Sequence, residues 1–109
     1  MLKVNKQEIQ QQQGHCGLIR RLTNENPARI VDLVVKNAER HYHKKTTEYY
    51  YVLQGQGKLF LDGNKIDIKQ GDLITIKPGV VHQAIEQDDE PLEILVIEVP
   101  PAFSDVYRV

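Results

Sequence analysis

Four residues of this chain have types and spacing that suit metal chemistry: His41, His43, Glu48 and His82. His41 and His43 stand two apart, so in an extended segment both imidazoles point to the same side. Glu48 follows at the start of an aromatic and apolar run, and His82 comes directly after a Pro78-Gly79 turn signal. Three imidazole nitrogens and one carboxylate converging on a point form a set suited to a divalent first-row metal. A closed structural zinc site recruits thiolates, and the single cysteine, Cys16, cannot supply them. The expected centre is therefore open, with positions left for water or a ligand.

Those side chains need strands and turns to bring them together. From residue 29 onward the pattern is β. The strands read as Ile30–Val35, Glu48–Gln54, Lys58–Leu61, Lys65–Ile68, Leu73–Ile76, His82–Glu86 and Leu92–Val99. Gly55-Gln56-Gly57, Asp62-Gly63-Asn64, Gln70-Gly71-Asp72 and Pro78-Gly79 punctuate them, and Asp62-Gly63 is a hairpin signal. The acidic stretch Glu86–Glu90 reads as a solvated hairpin loop, without the spacing of a calcium loop. Seven short strands separated by turns are the mark of a sandwich or barrel, so the fold class is all-β. Residues 1–28 read as an N-terminal arm, in which Leu18, Ile19 and Leu22 fit a short strand or part of a helix. Residues 29–101 read as the barrel and 102–109 as a C-terminal tail.

These motifs resemble those of the cupin superfamily. The first family motif is a glycine, five residues, HxH, three or four residues, Glu, six residues and a glycine. Here it runs His41-Tyr42-His43, four residues, Glu48, six residues, Gly55. The second is matched by Gly71, five residues, Lys77-Pro78-Gly79, two residues and His82. Val35, Lys77 and Glu86 stand where the family has Gly, Pro and Asn, which are scaffold or rim positions. The resemblance implies a double-stranded β-helix, or jelly-roll, with the four ligand positions intact at the barrel mouth. It implies one divalent transition metal per chain, with Fe, Mn, Ni and Zn all compatible.

If Glu48 faces the interior, parity sends Tyr50 and Val52 inward, and Tyr49, Tyr51 and Leu53 to the outer face. Tyr50 is then the candidate catalytic residue, able to donate a hydrogen bond or act as an acid. From His82, parity directs Ala84 and Glu86 inward. His15 and Cys16 lie outside both motifs, and Cys16 reads as an inert buried thiol. Lys44 and Lys45 stand where they could draw an anionic substrate.

Composition narrows the partners. With 109 residues the chain forms one domain. Fourteen basic against fifteen acidic residues give a net charge of -1, with no basic stripe, so nucleic acid is excluded as a first reading. No run of apolar residues is long enough for a signal peptide or a membrane span, and a soluble cytoplasmic protein is expected. The apolar outer face predicts a homodimer, with arm and tail either clamping the partner or folding back. Two functions compete. One is a metal-dependent dioxygenase, isomerase or lyase acting on a small carboxylate, carbonyl or enediol compound. The other is a non-catalytic barrel binding a sugar or small acid.

Overall fold

A computed structural model describes residues 3–87 and 89–109. After a short 3-10 turn at Lys6–Glu8, the strands are β1 (Gln12–Gln13), β2 (Gly17–Glu25), β3 (Ala28–Val35), β4 (His41–Tyr42) and β5 (Thr47–Gln54). They continue as β6 (Gln56–Leu61), β7 (Asn64–Lys69), β8 (Leu73–Ile76), β9 (His82–Glu86), β10 (Glu93–Val99) and β11 (Tyr107–Arg108). All seven expected strands are present. Among the described residues, no helix is long and apolar enough to cross a membrane.

The strands form two sheets, ordered β1-β2-β3-β10-β5-β8 and β11-β4-β9-β6-β7. Side chains alternate across them as pleating requires. Glu48, Tyr50 and Val52 are buried while Tyr51 is exposed, so the parity read from the sequence holds. The core lies between the sheets, with Ile19, Val31, Leu33, Val52, Ile94 and Val96 from the larger sheet meeting Leu59, Ile68 and Ala84 from the smaller. This is the double-stranded β-helix.

The turns differ in what they do. Asp62 and Gly63 both take positive φ, 44° and 91°, and close the tight β6–β7 hairpin. Gly55 instead makes a corner. It is the only residue between β5 and β6, which belong to different sheets. The acidic stretch differs from its hairpin reading, because β9 and β10 also lie in different sheets and this connection is a crossover. Gln87 and Glu90 bridge within it, and Asp88 lies outside the described residues.

The N-terminal segment departs most from the sequence reading. Residues 17–25 form a full strand of the larger sheet, paired along β3 from Gly17↔Val35 to Glu25↔Ala28. Its apolar residues are few because one face carries Arg20 and the mouth end is polar, so only Ile19 reaches the core. The tail folds back on its own barrel, with Tyr107 and Arg108 paired to Tyr42 and His41.

Candidate metal centre

The two sheets deliver the four predicted residues from opposite sides. Glu48 comes from β5 in the larger sheet; His41 on β4 is the register partner of His82 on β9 in the smaller. His43 follows β4 directly. All four are buried, and one donor atom from each lies within 4.8 Å of the others. The His41 and His82 ring centroids are 4.3 Å apart, and His43 lies 5.0 Å from His41 and 5.4 Å from His82.

Backbone carbonyls orient every ring. His41 Nδ1 is 2.9 Å from Glu39 O, His82 Nδ1 is 2.9 Å from Val80 O, and His43 Nδ1 is 2.6 Å from Asp105 O. A carbonyl can only accept, so each Nδ1 carries the proton. The Nε2 atoms of His43 and His82 are left to face Glu48, which is the arrangement of metal-bound imidazoles with an outer partner. His82 Nε2 lies 2.8 Å from Glu48 Oε1 yet outside hydrogen-bond geometry, so this buried nitrogen has no hydrogen-bond partner among the described residues. An orphaned buried nitrogen beside a buried carboxylate fits a cation between them.

The charge states of His41 and Glu48 agree with that fit. Burial, aided by His82, pushes the His41 pKa down to about 4, so its imidazole is neutral at neutral pH. Burial acts against a charged Glu48, but His43 and His82 outweigh it and hold the carboxyl well below the usual range. Burial also disfavours a charged His43, yet the Glu48 carboxylate 2.9 Å away raises its pKa on balance. These four residues could hold a divalent metal.

A cavity of ≈ 40 Å³ adjoins the cluster, walled by His41, Glu48, Tyr50, Val31, Leu33 and Val96 among others. The Tyr50 ring meets His82 edge-on at 6.0 Å. Burial raises the Tyr50 pKa well above its ordinary value, so the phenol keeps its proton as a donor.

Other expected contributors lie elsewhere. Glu86 accepts from Asn37 N at 3.1 Å and does not border this cavity. Lys44 Nζ sits 4.3 Å over the Tyr107 ring. Burial pushes the Cys16 thiol up to about 12, which keeps it protonated, although it does line the cavity.

The sequence reading missed Glu98, Arg29 and Asp105, and it set His15 aside. Glu98 is buried, accepts from Ala102 N at 3.1 Å and pairs with Arg29 at 3.2 Å. The signal was present: Ile94, Val96 and Glu98 share one face of β10, as Arg29, Val31 and Leu33 share one face of β3. His15, set aside as lying outside both motifs, meets His41 edge-on at 4.8 Å.

Asp105 fixes the loop after His43. Its carboxylate accepts from the backbone N–H of Lys44, Lys45 and Thr46 at 2.8 to 3.0 Å, while its carbonyl orients His43. Burial opposes the charged form, but these three donors outweigh it and lower the Asp105 pKa. A depressed carboxyl pKa contributes stability that is present above about pH 4 and lost as pH falls through the folded value. Asp105→Ala should therefore destabilise the fold by about 2 kcal/mol at neutral pH, and by less in acid. It should also weaken metal binding by about 10–100-fold. Thermal melts at neutral and acid pH, with metal titration, check this; unchanged melting and affinity would refute the role.

The family model described as "Cupin domain" matches residues 30–98. The chain belongs to the cupin family.

Among curated relatives of this cupin, an uncharacterised protein of Methanocaldococcus jannaschii is 39% identical over 61 residues, covering 56% of this chain and 49% of that one. The quercetin 2,3-dioxygenase of Bacillus subtilis is 31% identical over 68 residues, covering 62% of this chain and 20% of the enzyme. The cupin thus spans about half the archaeal protein's length and a fifth of the dioxygenase's. Among solved structures, the polyketide cyclase RemF of Streptomyces resistomycificus superposes with TM-score 0.85 at 19% identity, covering 100% of this chain and 85% of that one. That likeness is one of fold.

Proposed function

We propose that this cupin is a metal-dependent enzyme of dioxygenase, isomerase or lyase type, acting on a small carboxylate, carbonyl or enediol compound. The observation that carries the reading is the orphaned His82 Nε2 facing Glu48 beside a cavity large enough for ligand atoms. The quercetin dioxygenase relative supports the enzymatic class. His41, His43, Glu48 and His82 would hold one divalent ion, with Fe, Mn, Ni and Zn compatible with this donor set. Such an ion supplies Lewis-acid activation or, as iron, a place for O₂ beside the substrate. The chain's own residues do the rest. Glu48 and His41 present one wall to a ligand oxygen, Tyr50 offers it a phenolic proton, and Val31, Leu33 and Val96 exclude water.

The test is turnover by the metal-loaded protein, followed by oxygen electrode and by NMR, across small hydroxy, oxo and enediol acids. With an active compound, Tyr50→Phe should reduce turnover by at least about 10²-fold with metal content unchanged. Unaltered turnover would remove Tyr50 from the chemistry. Binding of these compounds without conversion of any would favour the second reading, a binding module, which the small cavity also suits.

A second copy of the chain is the proposed cover for the outer face. Tyr51 and Leu73 there are 41% and 61% exposed and are register partners on β5 and β8. Light scattering should report twice the 12.6 kDa chain mass, and a monomer at all concentrations would refute it.

A further inference from the structure

The inner face of the larger sheet changes character at one end. Deep in the barrel it presents Ile19 from β2 beside its register partner Leu33 from β3, and then the row of Val31, Val96 and Tyr50, with Arg21 at its β2 end. Two residues further toward the mouth, the same face presents Arg29, Glu98 and Glu48 as register partners. The run on β2 ends at a bulge between Arg21 and Thr23, a device that re-aims side chains at barrel rims.

Outside this row lies a groove of ≈ 280 Å³. His15, Arg29 and Glu98 line both this groove and the cavity beside Glu48, so the two spaces are neighbours on either side of those residues. Arg21, Asn24 and Phe103 complete the outer part, and Phe103 is 59% exposed.

The groove is built to offer donors. Arg29 is held in place, with Nε donating to Asn24 Oδ1 at 2.9 Å and Nη1 to Glu98 Oε2 at 3.2 Å. Its second terminal nitrogen has no hydrogen-bond partner among the described residues. Arg21 donates to the neutral Gln12 amide oxygen and, among the described residues, has no carboxylate within ion-pair distance. Glu98 therefore balances one guanidinium and leaves the other in excess. Two forked cations at a groove match a carboxylate in geometry and charge.

We propose that this groove is an anion subsite of the metal centre, so that the ligand is a small dicarboxylate. One end, an oxygen pair of 2-hydroxy or 2-oxo acid type, lies in the cavity at Glu48 and His41. The far carboxylate lies between Arg21 and Arg29. This rests on the metal-centre reading above and adds the ligand class to it.

Lactate and malate share a 2-hydroxy carboxylate and differ in the second carboxylate, so they separate the two ends. Calorimetric titration of both into metal-loaded protein should give malate at least about tenfold tighter binding. Arg21→Ala, at a residue that does not border the inner cavity, should reduce that preference with lactate affinity unchanged, and adding Arg29→Gln should abolish the preference. A preference that survives both substitutions would mean malate gains only through added chelation, and would overturn the subsite. Equal affinities, or no binding of either acid, would overturn it as well. Metal content measured on the same samples separates the two claims. Protein that takes up no metal defeats the metal-centre reading, whereas loaded protein without the arginine-dependent preference defeats only the subsite.

Discussion

In a His82→Ala variant, affinity for divalent metal should fall by two orders of magnitude or more, since losing even an outer partner costs about 10–100-fold. The reason is local. His82 is fully buried, its Nδ1 is held by Val80 O, and its Nε2 faces Glu48 with no hydrogen-bond partner among the described residues. Alanine removes a donor from a set whose other members come from β4, the loop after it, and β5, none of which can shift to replace it. Because a buried His→Ala change also opens a void, Glu48→Gln is the companion variant. It keeps the side-chain shape and removes the charge that the three histidines face. Both should lose metal while keeping a β-type circular dichroism spectrum. Retained affinity in both folded variants would contradict the ligand assignment.

The largest effect on stability is expected at a glycine. Gly55 turns the chain from one sheet to the other with φ +86°, and a Cβ there would stand 2.0 Å from Pro91 O. That oxygen is backbone, next to the fully buried Leu92, so it cannot yield without moving β10. Gly55→Ala should cost about 3 kcal/mol or more, combining positive-φ strain with the clash. In a chain of this size that lowers Tm by roughly 15 °C. Gly63 is the control. Its φ is similar, +91°, but an added Cβ would meet nothing within 4 Å. Gly63→Ala should therefore cost only about 1 kcal/mol of backbone strain. Equal losses at the two sites would show that the corner is not specifically packed.

What could be read in the sequence followed from periodicity and spacing. The HxH pair, Glu48 and His82 declared the site because their chemistry is unusual at that spacing. The alternation from Glu48 correctly placed Tyr50 and Val52 inside. What escaped had no such local sign. β2 was obscured because its core-facing side is reduced to Ile19 by the polar mouth and the bulge. The acidic connection resembled a hairpin because turn composition does not reveal which sheet the next strand joins. Asp105 lies 62 positions from His43, and only the folded tail makes them partners. Arg29 and Glu98 were detectable by extending the alternation of β3 and β10, but they end runs otherwise dominated by apolar residues.

His41, His43, Glu48 and His82 are proposed to hold one divalent metal ion. Elemental analysis of tag-free protein, purified without chelator, tests it most directly. Close to one equivalent of a single divalent transition metal per chain is expected, removable by chelator and restored on reloading. Iron would direct the search toward oxygen chemistry, whereas zinc, nickel or manganese would direct it toward Lewis-acid reactions or binding. Folded protein that carries no metal and takes up none when it is supplied would contradict the claim, leaving a histidine-lined barrel without its proposed chemistry.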